Sequence, residues 1–372
     1  MARDLGVTPP TVFAAFSAAL VLSALIGPYA GRAIDHWGGK PVLMVTNLVF
    51  AAGLVTLATA QGPIGLFAGW LILGIGMGSG LYEAAFAAIV RLYGQGSRGA
   101  ITGVTLFAGF ASTVGWPLSS WLQVHYDWRV ACVAWAALHL MIGLPLNLSI
   151  PSAVREPPSG SKASPEAGSE GKRNGRDAIA LAFVFAVTWF VSTAMAAHLP
   201  QVLMATGATL ATAVLVGTLV GPAQVVARIL EFGLLRKVHP LLSARLATLM
   251  HPLGAFLLLT LGTPLALVFG VLHGAGNGIL TIAKGTLPLA IFGTSGYGRR
   301  QGVLMVPARI AQALAPWLFG LCLERWGAAS LWLSSALGIA AFGALLFVQD
   351  TRRHARPEAG SDAVSEAIRA ES

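Results

Sequence analysis

Charge is what this chain has least of. Charged residues make up 10% of its 372 positions, against about 25% in a soluble domain. So few cannot cover a water-facing surface, which excludes an ordinary soluble fold and points to hydrocarbon, where charges are costly. Cysteine is nearly absent: the 2 present give neither a disulfide framework nor metal-ligand spacing. No nucleophile-base pair stands out either, so the sequence speaks against an enzyme and calls for no metal and no cofactor. The net charge of +9 is spread over short gaps between apolar runs, which argues against nucleic acid as a partner. Residues 1–10 are polar and the first apolar run lacks a small-residue cleavage pattern, so no cleavable signal peptide is read.

What the chain does have is apolar length: 55% hydrophobic residues and 44 glycines. A membrane span takes about 20 apolar residues. Eleven stretches qualify: 11–30, 41–60, 64–90, 101–123, 130–149, 178–198, 211–230, 241–262, 264–283, 303–323 and 329–348. The reading is an all-α membrane protein with bundles over 1–150 and 178–348. A segment over 151–177, rich in Pro, Ser, Gly, Lys and Glu, reads as a flexible loop. The tail 349–372 reads the same way. Of the Lys and Arg, 20 fall on the side of that loop and tail, counting Arg228 and Lys284; 3 fall on the other side, and Arg309 lies inside a span. The positive-inside rule then puts loop and tail in the cytoplasm of an inner-membrane protein, with Met1 outside.

The two halves repeat at a near-constant offset. Arg32-Ala33-Ile34-Asp35 corresponds to Arg228-Ile229-Leu230-Glu231, 196 residues on. Gly76, Gly78 and Gly80 correspond to Gly274, Gly276 and Gly278, 198 on, and Pro117 to Pro316, 199 on. The run from Gly74 to Gly80 lacks the Lys-Ser/Thr of a phosphate loop and lies in an apolar span, so close helix approach is its expected role. Pro117 and Pro316 are read as helix breaks in matching places.

The decapeptide Gly31-Arg32-Ala33-Ile34-Asp35-His36-Trp37-Gly38-Gly39-Lys40 resembles the signature loop of the major facilitator superfamily of secondary transporters. The resemblance implies two pseudo-symmetric helical bundles, 12 spans in the family against eleven here, and alternating access about a central cavity. In the family this loop follows the second span; here it follows the first. Two readings stand: a start upstream of Met1, or a genuine eleven-span form. Carried over, Gly31 supplies a tight turn, Asp35 the carboxylate, Gly38 a second turn and Lys40 the terminal base of a gating motif that includes Arg32. Gln224-Val225-Val226-Ala227-Arg228 resembles an Asp-x-x-Ala-Arg segment of the monocarboxylate and oxalate/formate branch, whose Arg binds a substrate carboxylate. Gln224 stands in place of the Asp.

Ionisable residues inside spans are functional candidates by default. Arg309, about 10 Å into its stretch, is read either as a cavity residue or as half of a structural pair. Arg228 is read as a substrate ligand or a positive-inside charge. Glu83, the one acid inside a stretch, is the proton-coupling candidate, or else a partner of Arg91 or Arg98. His273, beside Asn277, is a candidate for solute or proton contact, with Gln312 and Gln224 as further polar cavity residues. His198 belongs to an outer gate or is an ordinary interfacial residue; His251 and His139 are read as structural.

The function read from the sequence is a secondary transporter, expected as a monomer. Its partners are a small solute, a coupling ion that is by preference a proton, and the lipid bilayer. A small organic anion is favoured by the two arginines. The rivals are efflux of a toxic neutral solute such as arsenite or a drug, and a truncated, non-transporting membrane protein.

Overall fold

The computed structural model describes residues 1–151, 167–235 and 238–348. Residues 152–166 and 349–372, read above as loop and tail, lie outside the described residues, as do Arg236 and Lys237. The described chain is helical throughout, with no strand. The first half holds α1 (Pro9–Trp37), α2 (Gly39–Thr59), α3 (Pro63–Gly80), α4 (Tyr82–Tyr93), α5 (Arg98–Gly109), α6 (Ala111–His125), α7 (Trp128–Leu138) and α8 (Leu144–Leu148). The second holds α9 (Ala167–Ala205), α10 (Leu210–Leu230), α11 (Pro240–Leu261), α12 (Ala266–Phe292), α13 (Tyr297–Trp326) and α14 (Ser330–Phe347). Helix α9 starts well before 178, so the end of the segment read as loop is helical.

Among the described residues, 9 continuous helical segments are long and apolar enough to cross a membrane. Two of them, of 47 and 51 residues, exceed one crossing, which takes about 20 residues. Each is interrupted by a glycine of the same shape: Gly94 at φ 55, ψ −132 and Gly327 at φ 54, ψ −132. Only glycine holds such an angle cheaply. With these interruptions the segments carry ten of the eleven apolar stretches; the stretch 101–123 is instead divided between α5 and α6, which meet at Phe110. The outward faces stay apolar, as at Ile64 (86% exposed) and Phe107 (80%). In lipid such faces need no cover, and the helical backbone satisfies its own polar groups.

Glycines set the packing within each half. Helix α3 lies against α1 through Gly74 (at Ala19) and Gly78 (at Ser23), and against α2 through Gly76 (at Phe50) and Gly80 (at Thr46). Helix α12 repeats this against α10 through Gly274 (at Val220) and Gly278 (at Gln224), and against α11 through Gly276 (at Ala247). Several of these neighbours are backbone atoms that an added Cβ would strike, the close approach that small residues permit in membranes.

Two sequence expectations fail locally. Pro117 and Pro316 do not break their helices: they lie inside α6 and α13. In α13 side chains reach the carbonyls around the proline, His198 Nε2 to Pro316 O at 2.7 Å and Ser17 Oγ to Ala313 O at 3.5 Å. The charged decapeptide is not a loop over its first part, because α1 continues through Trp37 and ends at Gly38, φ 88. Gly31 therefore makes no turn. It is a contact surface, and a Cβ there would strike the backbone of Gly298.

Candidate functional site

A buried ion cluster joins the two halves. Glu83, near the start of α4, receives Arg309 of α13 at 2.7 Å on Oε2 and Lys284 of α12 at 3.0 Å on Oε1. All three side chains are buried. Lys284 also lies over the rings of Trp189 (4.6 Å) and Tyr82 (4.9 Å), a cation-π environment that helps hold a desolvated ammonium. The cluster counts two cations for one carboxylate. Glu83 pairs with neither Arg91 nor Arg98, because both of its partners come from the opposite half.

Lys284 was missed as a site residue, since the ninth apolar stretch ends one residue before it. The helix runs on to Phe292, and Lys284 is 2% exposed. A signal existed: His273, Asn277, Thr281 and Lys284 recur at helical spacing on one face. Near the same level Gln301 Nε2 donates to Lys284 O at 3.1 Å and the Tyr297 hydroxyl to Gly285 O at 2.7 Å.

Arg228 is buried too, rather than a surface charge. Its guanidinium donates to Thr105 O of α5 at 2.8 Å, to Gly278 O at 3.4 Å and to Gln224 Oε1 at 3.4 Å. Neighbouring carbonyls and the Gln224 amide thus hold a cation that crosses between halves. His273 and Asn277 are not brought to Arg309; they line a cavity inside the second half together with His251. His251, read as structural, is hydrogen-bonded to His273. Gln312 is half-buried on α13, one helical turn beyond Arg309.

One end of the molecule is sealed. The Asp35 carboxylate accepts from the backbone N–H of Gly298 and of Arg299, both at 2.8 Å. These are first-turn amides of α13, where unpaired donors and the helix dipole favour an anion. Glu231 takes Arg98 at 3.0 Å, and Arg98 donates onward to Val238 O at 2.6 Å. Ile34, Phe86 and Ile101 pack in one buried cluster with Leu289 and Tyr297 of the other half. Of the expected motif, Asp35 and Gly31 make the inter-half contact and Gly38 makes the turn. Arg32 lines an outer apolar groove, and Lys40 is half-buried at the start of α2.

Comparison with known proteins agrees with this architecture. The multidrug resistance protein MdtH of Shigella flexneri is 32% identical over 117 residues, 31% of this chain and 29% of that protein. MdtH of Klebsiella pneumoniae is likewise 32% identical over 117 residues, 31% of this chain and 28% of its own. The match thus spans under a third of the curated relatives. Among solved structures, the proton:xylose symporter XylE superposes with a TM-score of 0.70 at 15% identity, over 91% of this chain and 86% of that one. The Escherichia coli fucose:proton symporter FucP gives 0.68 at 17%, over 94% and 95%. The human organic anion transporter MFSD10 gives 0.64 at 17%, over 92% and 87%. At these identities the likeness speaks to the fold, while the family model of the Major Facilitator Superfamily matches residues 1–267. With its helices paired by glycine in each half and its halves pinned by buried ions, this chain belongs to that superfamily.

Proposed function

We propose that this transporter moves a small anionic solute together with a proton, and that Glu83 carries the proton. The observation behind this is the shared carboxylate, with one acid of the first half held by two bases of the second. Alternating access requires the halves to separate at this level. Leaving an ionised Glu83 buried and unpaired would cost about 3–5 kcal/mol. Protonating Glu83 removes that cost and frees Arg309 and Lys284 at the same moment. Two freed cations in a low-dielectric site then hold an anion strongly. Proton and anion load in one state, which is symport. The end bearing Arg32, Arg98 and Arg299 is the cytoplasmic one in this reading, so the state described is closed to the cytoplasm. The chain sits in the inner membrane and works as a monomer.

Efflux of an uncharged compound is the second reading. It is favoured by the MdtH relatives and by an Arg309 whose charge Glu83 already meets. Solute accumulation in energised membrane vesicles separates the two, right-side-out vesicles reading symport and everted ones reading efflux, using labelled lactate, oxalate, formate and arsenite with wild type and Arg309→Gln. Gradient-driven uptake of a carboxylate, lost in the variant, supports the anion reading. Arsenite uptake that persists in the variant would replace it with the second.

A further inference from the structure

Inside the second half, away from the ion cluster, α9, α11, α12 and α14 line a small, half-open pocket with about 380 Å³ of free space including its mouth. Its polar lining is Thr188 and Ser192 from α9, Thr248 and His251 from α11, and His273 and Asn277 from α12. None of its lining residues is a carboxylate, Lys or Arg. A second pocket, with about 260 Å³ of free space including its mouth, shares Thr188, Asn277 and Leu280 with it and reaches Lys284. Polar side chains therefore run along one face of α12 from the histidines to the ion cluster.

One choice of donor at Ser334 sets the whole histidine pair, and the carbonyl beside it, which can only accept, argues for that choice. The Ser334 hydroxyl donates to Leu331 O at 3.0 Å, and that carbonyl can only accept. Toward His251 Nε2, at 3.0 Å, Ser334 then has only a lone pair to offer, so His251 carries its proton on Nε2. Its Nδ1 is an acceptor. The 3.0 Å contact between the two Nδ1 atoms thus requires His273 to donate from Nδ1. What remains is His273 Nε2, a lone-pair nitrogen without a hydrogen-bond partner among the described residues, on a side chain that lines the pocket.

We infer that this pocket is a proton-binding site, with His273 Nε2 as the basic atom and His251 and Ser334 as the chain that holds it in the accepting tautomer. The incoming proton forms an N–H bond at Nε2, the Nδ1–H bond to His251 stays in place, and the pair takes up one positive charge. The link to Glu83 along α12 rests on the transport reading above; the proton site itself does not.

Nitrogen-15 NMR of the full chain in lipid, with labelled histidine, tests this directly because each tautomer and the imidazolium have separate shifts. The spectra run from about pH 8 to about pH 4, bracketing the ordinary histidine range. The expected result in the alkaline samples is Nε2–H for His251 and Nδ1–H for His273, with one proton per pair taken up on acidification. Ser334→Ala should release the lock and give His251 mixed tautomers. Finding His273 as Nε2–H, or no uptake across the range, would overturn the proposal. Lys284→Met should stop gradient-driven solute uptake while leaving the tautomers as they are. If wild type transports nothing and yet shows the stated tautomers, the proton site stands and the transport reading falls.

Discussion

Asp35 and Glu231 occupy corresponding places in the two halves, 196 residues apart, and each reaches a corresponding place in the other half. Asp35 binds the backbone amides of Gly298 and Arg299 at the start of α13. Glu231 binds the side chain of Arg98 at the start of α5. One latch is made to a helix terminus and the other to a guanidinium, and both close the same end.

Releasing either latch should shift the molecule toward opening at that end. Asp35→Asn removes an anion at a helix N-terminus and should cost about 0.5–2 kcal/mol. Glu231→Gln should act in the same direction, and the double variant should exceed either one. Alkylation of a cysteine at Ile34, which is buried in the inter-half cluster, is the measurement. Labelling that stays at the wild-type rate in the double variant would contradict the role of the latches.

The ion cluster predicts an order of damage. Lys284→Met leaves the pair of Glu83 and Arg309 intact and should lower stability only modestly. Glu83→Gln leaves two buried cations together without an anion and should cost about 3–5 kcal/mol. Glu83→Gln combined with Lys284→Met should recover part of that loss. Thermal unfolding in detergent reads all three, and equal melting temperatures for the two single variants would contradict the assignment.

Glycine substitutions should sort by what faces them. At Gly31 a Cβ would strike Gly298, and at Gly302 it would strike Gly27. Alanine at either site should force α1 and α13 apart and cost about 1–3 kcal/mol. Gly103 of α5 faces open space, so Gly103→Ala should be neutral or gain up to about 1 kcal/mol. Thermal melting of the three variants checks the ranking.

At the opposite end the Trp128 indole N–H donates to Asp4 Oδ2 at 2.6 Å. This bond, with the nearby amino terminus, lowers the Asp4 carboxyl below its usual 3.8. The folded value lies below the unfolded one, so the contribution is full above the ordinary range and is lost as pH falls through the lowered value. The Trp128 indole proton resonance should therefore shift only below about pH 4. In Asp4→Asn that acid shift should vanish.

The apolar stretches were legible because insertion into lipid selects local composition, which a single sequence carries. Glu83 and Arg309 stood out for the same reason, as charges where charge is costly. Their contact was not legible, since 226 residues separate them and nothing local encodes the approach of one half to the other. Lys284 was hidden by the same logic: a lysine ends an apolar stretch unless a distant carboxylate neutralises it. The proline breaks failed because packing within the bundle carries α6 and α13 through the one missing N–H at each proline, a tertiary effect that local rules do not see. His251 looked inert because its partners, His273 and Ser334, lie on other helices.

The meeting of α1 with α13 has a mechanical consequence. Gly27 faces Gly302 and Gly31 faces Gly298, so bare backbone rests on bare backbone where the two halves touch. Side-chain ridges seated in grooves must climb out before helices can slide; two smooth tracks need not. This seam acts as a plain bearing, with little friction of its own, and leaves the timing of each stroke to the few charged groups that clamp it.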